Sequence, residues 1–173
     1  MNGDRYHLVE LPMGWMVLLG GENGLKRASL KPTPQEAIED IGMDLDGAED
    51  DPDAFTKVVE CLHRYAAGDR TALDEIGLDF SGITPFFSAA WNACRSIPAG
   101  ETRSYAWLAA EAGSPLAMRA AGQAMARNRF SLIIPCHRVI ASDGGLGGYG
   151  GGGLGVKARL LQMELGENPE SAK

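Results

Sequence analysis

The chain is poor in the residues that most often fix a protein's chemistry, with three cysteines and three histidines in 173 residues. Cys61, Cys94 and Cys136 lie far apart, without CxxC spacing or the density of a disulfide scaffold. With only His7, His63 and His137 beside them, no zinc-ligand spacing can be read and no metal site is expected. No apolar run approaches the ~18 residues of a membrane helix, which argues against a membrane partner. Met1 to Arg5 lack the basic-then-apolar signature of a secretory signal, and a reducing, cytoplasmic setting suits a protein with a free thiol. Positive charge is also scarce: the net charge is −7 and the pI about 4.9, which speaks against general affinity for nucleic acid. What is present is 45% hydrophobic residues, enough for a packed core in one large or two small domains.

The charge is unevenly spread. Residues 1–82 hold 7 Lys/Arg against 17 Asp/Glu, whereas residues 83–173 hold 9 against 6. An acidic half therefore precedes a mildly basic one. A solvated acidic face explains this as well as a DNA-contacting domain joined to a non-contacting one.

In residues 5–31 apolar and polar positions alternate around Gly20-Gly21-Glu22-Asn23-Gly24, predicting a small antiparallel sheet. Thr33-Pro34 opens a helix with Ile38, Ile41 and Leu45 as its apolar stripe. Asp51-Pro52 starts a second helix with Phe55, Val58, Val59, Leu62 and Tyr65 on one face. Cys61 and His63 on it read as packing or surface residues. Residues 69–83 read as a linker with a short strand. Thr84-Pro85 then caps a helix carrying Phe86, Phe87, Ala90, Trp91 and Cys94, the last on its apolar side. The boundary falls between domains 1–80 and 81–173.

The run Ile133-Ile134-Pro135-Cys136-His137-Arg138-Val139-Ile140 places a cysteine against an imidazole and a fixed cation. Both neighbours can favour the thiolate, the attacking form of the residue. A core cysteine beside a surface His-Arg is the plainer reading. Upstream, Ser104 caps a helix that ends at Gly113, and Ser114-Pro115 opens a second running from Leu116 to Arg127. Two helices around a short glycine-containing turn have the form of a helix-turn-helix. The second is rich in alanine and glycine, and Arg119 and Gln123 share one of its faces. An apolar strand is expected between Asn128 and Pro135, and a helix ends at Leu160-Leu161-Gln162-Met163-Glu164.

Together these features resemble the O6-alkylguanine-DNA alkyltransferase (methylated-DNA–protein-cysteine methyltransferase) family. The resemblance covers about residues 83–166 closely. It rests on Thr84-Pro85-Phe86, Gly100-Glu101-Thr102-Arg103-Ser104-Tyr105, Arg119-Ala120, Gly122-Gln123-Ala124, Asn128, Ile134-Pro135-Cys136-His137-Arg138-Val139-Ile140 and Gly147-Gly148-Tyr149. It implies an α+β protein: a small ribonuclease H-like α/β domain, then a mostly helical, winged-helix-like domain with the helix-turn-helix. It also implies a monomer that acts on double-stranded DNA bearing O6-alkylguanine, or O4-methylthymine. The alkyl group passes irreversibly to Cys136 in a single turnover.

By the same resemblance, His137 takes the thiol proton through a water and Glu164 holds the imidazole, a relay built like a catalytic triad. Asn128 hydrogen-bonds near the sulfur, and Tyr105 aids base extrusion and donates a proton towards the leaving guanine. Arg119 enters the base stack in place of the flipped nucleotide. Ser104, Ala120, Gln123 and Arg127 are expected on the DNA side, and Val139, Tyr149 and Gly150 around the guanine. Arg129 and Ser131 stand where relatives often carry proline. The Gly150-Gly151-Gly152-Gly153 run is one glycine longer than usual, so the alignment of Glu164 depends on allowing that insertion. An alkyltransferase-like protein that binds lesions without transfer is the alternative, and Cys136 argues against it. A regulator with a cysteine-rich zinc domain and a cysteine hydrolase fit less well.

Overall fold

The structure, a computed structural model, describes residues 3–141 and 153–166. The chain divides into two compact units, Met1–Phe80 and Ser81–Lys173.

The first unit is built on a four-stranded sheet. Strands β1 (Arg5–Leu11), β2 (Gly14–Gly21) and β3 (Gly24–Lys31) form an antiparallel meander, and the short β4 (Glu49–Asp50) pairs parallel to β1. The order is β3-β2-β1-β4, a mixed sheet of the kind expected for a ribonuclease H-like domain. Because β2 is central, Met16, Val17, Leu18 and Leu19 are all buried rather than alternately exposed. Gly24 has φ +111°, and a Cβ there would lie 2.7 Å from the Gly77 carbonyl oxygen. That close approach lets the linker return along β3, with the Leu25 N–H donating to the Gly77 carbonyl at 3.0 Å.

Helix α1 (Pro34–Ile41) starts where the Thr33 hydroxyl accepts from the Glu36 N–H at 3.2 Å. Its buried stripe is Ala37 and Ile41, which pack on Val17 and Leu19. Ile38 was expected there but is 43% exposed, because the two-turn helix aims its i, i+4 pair one position earlier. Leu45 reaches the same cluster from a 3-10 turn, Gly42–Leu45. Helix α2 (Thr56–Ala66) follows a 3-10 turn, Pro52–Phe55, and buries Cys61, Leu62 and Tyr65, while His63 is exposed.

The second unit opens with α3 (Pro85–Arg95), capped by the Thr84 hydroxyl and burying Ala90, Trp91 and Cys94. Strand β5 (Arg103–Ser104) leads into α4 (Tyr105–Glu111), whose first turn is capped by Ser104 accepting from the Trp107 N–H at 3.1 Å. Gly113, at φ +90°, ends the helix. The second helix of the pair, α5 (Met118–Ala126), begins later than the sequence suggests. Ser114 does not cap it. Its carbonyl instead accepts from the Ala117 N–H at 2.9 Å, closing a turn that holds Pro115 and Leu116. Helix α5 buries Ala121, Ala124 and Met125. Trp91 fastens it to α3, donating from Nε1 to the Ala124 carbonyl at 2.8 Å, and also meets Phe130 edge-on at 5.9 Å. A short β6 (Val139–Ile140) pairs parallel to β5, and α6 (Leu154–Glu164) closes the unit. No helix among the described residues is long and apolar enough to cross a membrane.

Trp91→Phe removes the indole hydrogen bond from α3 to α5 and leaves the Ala124 carbonyl without that donor. Urea unfolding is expected to show a loss of about 2 kcal/mol. A loss near zero would mean that helix packing alone seats α5.

Candidate active site

Cys136 sits at the start of a 3-10 turn, Cys136–Arg138, and it is the one cysteine of the three that is not buried. The segment before it is not the expected strand. Residues 131–134 form turns, and Leu132 has φ +75°, the only positive φ outside glycine among the described residues. The reason is local satisfaction of the backbone. Asn128 donates from its side-chain amide to the Ile134 carbonyl at 2.9 Å, and its Oδ1 accepts from the Phe130 N–H at 2.8 Å. The Ile134 N–H donates to the Phe130 carbonyl at 3.0 Å, and the Cys136 N–H to the Ile134 carbonyl at 2.8 Å. Buried polar backbone must find partners, and here a side chain supplies what a strand ladder would have. Phe130, Leu132, Ile133 and Ile134 fill the core beneath.

Behind the sulfur lies a buried charge cluster. His137 Nε2 meets Glu164 Oε2 at 2.8 Å. Arg138 donates from Nε to Glu164 Oε1 at 2.9 Å and from Nη2 to Oε2 at 2.7 Å. Its Nη1 donates to the Ile97 carbonyl at 2.6 Å. Burial alone would raise the Glu164 carboxyl, but the bonds and charges of His137 and Arg138 outweigh it and bring the pKa down to about 2. Burial holds His137 below its ordinary value despite Glu164, so the imidazole rests neutral.

Cys136 itself lies above the usual thiol range, chiefly because the sulfur is desolvated. A hydrogen bond from Asn128 and the charge of Lys157 pull it partly back. This corrects the expectation that the flanking His137 and Arg138 favour the thiolate. Arg138 is turned onto Glu164 and His137 is neutral, so the cation acting on the sulfur comes from α6. Lys157 is fully buried, donates to the Val139 carbonyl at 2.9 Å and is itself lowered by burial.

The remaining expected residues fall in three places. Tyr105, the first residue of α4, is half-buried beside the thiol site. Burial and then the charge on Cys136 raise its hydroxyl, which keeps it protonated. Ser104 is spent on capping α4, and it pairs with Ile140 two residues beyond Arg138. On α5, Arg119 and Gln123 are exposed on one face, Arg127 is exposed at the helix end and Ala120 is half-buried. Val139 is fully buried in β6 and backs the site from within. Tyr149 and Gly150 lie outside the described residues. No group of three or more His, Cys, Asp or Glu among the described residues could hold a metal.

Two residues escaped the sequence reading. Arg138 stood only as a flanking charge, and Lys157 was not singled out. Their signal lies in α6, where Lys157, Leu160 and Glu164 share one buried stripe. Two charged residues on an apolar stripe call for buried partners.

Glu164→Gln leaves Arg138 buried without its charge partner and is expected to cost 3–5 kcal/mol or so at pH 7, read by urea unfolding. In the wild type both acid–base partners titrate lower when folded than unfolded. The unfolded chain therefore takes up protons first, and stability falls on acidification. The loss begins below about pH 6.5 through His137 and continues below about 4.3 through Glu164. The lower part of that slope should flatten in Glu164→Gln. The rate of Cys136 alkylation by iodoacetamide should keep rising above pH 8.5 or so, the midpoint of an ordinary thiol, and Asn128→Ala should move its midpoint higher still.

Comparison with known proteins points to one family. A sequence model of the family described as 6-O-methylguanine DNA methyltransferase, DNA binding domain, matches residues 85–166. A methylated-DNA–protein-cysteine methyltransferase of Mycolicibacterium paratuberculosis is 39% identical over 96% of both chains. The constitutive enzyme of that name from Bacillus subtilis is 37% identical over 92% of this chain and 94% of its own. Among solved structures, Mycobacterium tuberculosis OGT in complex with DNA superposes with a TM-score of 0.81 at 35% identity, covering 97% of each chain. With a relative so similar over nearly its whole length, and a partly exposed thiol backed by a buried histidine–glutamate pair, the chain belongs to the O6-methylguanine-DNA methyltransferase family.

Proposed function

We propose that this protein repairs DNA by moving the alkyl group of O6-alkylguanine, and by the same chemistry that of O4-methylthymine, onto Cys136. The observation that carries the reading is the thiol's setting. Of the three cysteines only Cys136 keeps solvent access, and it adjoins the buried His137–Glu164 pair.

The reaction is a displacement at carbon. The Cys136 sulfur bonds to the alkyl carbon as the carbon–O6 bond breaks, and guanine leaves. The thiol proton passes through a water to His137 Nδ1, the ring nitrogen that does not face Glu164. The imidazolium so formed gains the full charge of the carboxylate. Tyr105 gives the departing guanine a proton and is reprotonated, so the proton lost by sulfur balances the one gained by the base. Asn128 and Lys157 stabilise the thiolate at the moment it forms.

The alkyl carbon of a guanine stacked inside the duplex is out of reach of a thiol that is itself only partly exposed. The nucleotide must therefore be turned out of the duplex, at a cost of a few kcal/mol or so. Arg119 and Gln123, on the open face of α5, are placed to meet DNA, and Arg119 fills the gap left in the stack. The product thioether has no second nucleophile to release it, so each molecule reacts once.

Mass spectrometry after incubation with an O6-methylguanine duplex is the test. One methyl group on the peptide containing Cys136 is expected, and none in Cys136→Ser. Tight lesion binding with an unmodified peptide would favour the lesion-binding alternative. Arg119→Ala should lower the transfer rate on duplex relative to the rate with free O6-benzylguanine, which needs no extrusion. Equal loss on both substrates would remove Arg119 from the stack.

A further inference from the structure

Few large apolar side chains among the described residues stand in solvent, and two of them lie within the three residues before Arg119. Leu116 is 101% exposed and Met118 is 48% exposed. The fold explains how they come to be there. The turn closed by the Ser114 carbonyl pushes Leu116 off the protein surface, and Met118 is the first residue of α5. Nothing within the unit needs them in place, since α5 docks through Ala121, Ala124 and Met125 on the other side.

One turn further along the outward face the pattern inverts. Gly122 follows Met118 by four residues, and a Cβ built on it meets nothing within 4 Å. A glycine inside a helix costs about 1 kcal/mol relative to alanine, and packing within the protein gives no reason for it. The outward face of α5 is thus bulky and apolar at its tip, then bare backbone, then Gln123. That is the profile of a helix that lies close against a partner and pushes its tip into it.

We propose that Leu116 and Met118 form an apolar wedge that enters the base step opened when the target nucleotide is extruded, alongside Arg119. The inference rests on the function proposed above. The chemistry selects the occupant. Phosphates attract cations, and a fully exposed leucine has nothing to offer them. The faces of unstacked bases are the apolar surface that a duplex presents, and leucine and methionine are among the side chains that wedge between base steps. In this arrangement Arg119 supplies charge and hydrogen bonds to the gap, while Leu116 and Met118 cover the base faces that lost their stacking partner. Gly122 lets the helix backbone approach closely enough for the tip to reach.

The test uses the full chain and a duplex with 2-aminopurine beside O6-methylguanine. The single-turnover transfer rate on duplex is divided by the rate with free O6-benzylguanine. For Leu116→Ala/Met118→Ala that ratio should fall about tenfold, the equivalent of ~1.4 kcal/mol, and the 2-aminopurine fluorescence that reports unstacking should fall with it. Both side chains are exposed, so folding is spared, which circular dichroism checks. Met118→Lys should tighten binding to undamaged DNA and steepen its salt dependence while still lowering the transfer ratio. A ratio within about twofold of wild type, a difference of only ~0.4 kcal/mol, overturns the wedge. So does a Met118→Lys variant that transfers as well as wild type, which would put the side chain at the phosphates. A defect seen only at high protein density on long DNA also overturns it, since the patch would then join neighbouring copies. If the wild type leaves Cys136 unmodified, the function and the wedge fall together. That control separates the two failures.

Discussion

The second unit depends on one carboxylate. Glu164 stands in the last turn of α6, where the helix dipole disfavours negative charge, and it is 2% exposed. Left alone it would be protonated or pulled to the surface. Arg138 prevents this by gripping both oxygens, and His137 takes the remaining approach to Oε2. The same guanidinium binds the Ile97 carbonyl at the end of the turn after α3. One buried ion cluster thereby fixes the end of α6, the 3-10 turn that carries Cys136 and the base of α3. A buried pair of this kind adds little net stability when whole but costs several kcal/mol or so when one partner is lost. Its contribution is position: the imidazole cannot rotate without abandoning the carboxylate.

A second constraint sets the sulfur relative to α5. Trp91 holds α5 through the Ala124 carbonyl, and Phe130 packs edge-on against the same indole. Asn128 then ties the end of α5 to the backbone two residues before Cys136. Within this short span a helix end, a buried turn and Cys136 are linked by hydrogen bonds rather than by a flexible loop. The left-handed backbone of Leu132 is part of that arrangement. Such a conformation costs about 1–3 kcal/mol and persists only where its surroundings over-determine it. Here Asn128 and a fully buried leucine side chain do so. The distance between Arg119 and Cys136 is accordingly a property of the fold.

Much of this could be read from the chain, for reasons that differ by element. The caps at Thr33, Thr84 and Ser104 were legible because a hydroxyl before a helix has a single strong use. The Cys136-His137 pair stood out in the sequence itself and Glu164 came from the family resemblance, and the structure brings His137 and Glu164 within 2.8 Å of each other. The turn at 131–134 was not legible. A β-branched run reads as strand by propensity, and only Asn128, reaching six residues ahead, diverts it. The start of α5 was misplaced because Ser114-Pro115 has the form of a cap, while its carbonyl closes a separate turn. The electrostatics at Cys136 were hidden for a deeper reason. Sequence adjacency put His137 and Arg138 next to the thiol, but a 3-10 turn sends successive side chains in different directions. The relevant cation, Lys157, is distant in sequence and close only once α6 has packed.

That reversal bears on selectivity. A thiolate fixed by adjacent cations would react with any electrophile that reached it, and a protein that reacts once would be consumed by the first. Desolvation instead keeps Cys136 as a thiol at rest, with His137 neutral and Tyr105 protonated. All three groups are thus in the protonation states from which the proposed transfer starts. Among side chains, Asn128 and then Lys157 pull the thiol back towards deprotonation, an effect that grows as solvent leaves the site. In the proposed transfer an extruded base that fills the site expels bulk solvent, leaving the water that carries the proton to His137, and so strengthens the interactions that favour the thiolate. Under the proposed function the lesion thereby assists in activating the sulfur that receives its alkyl group, and a small electrophile that enters without displacing the solvent meets a poorer nucleophile.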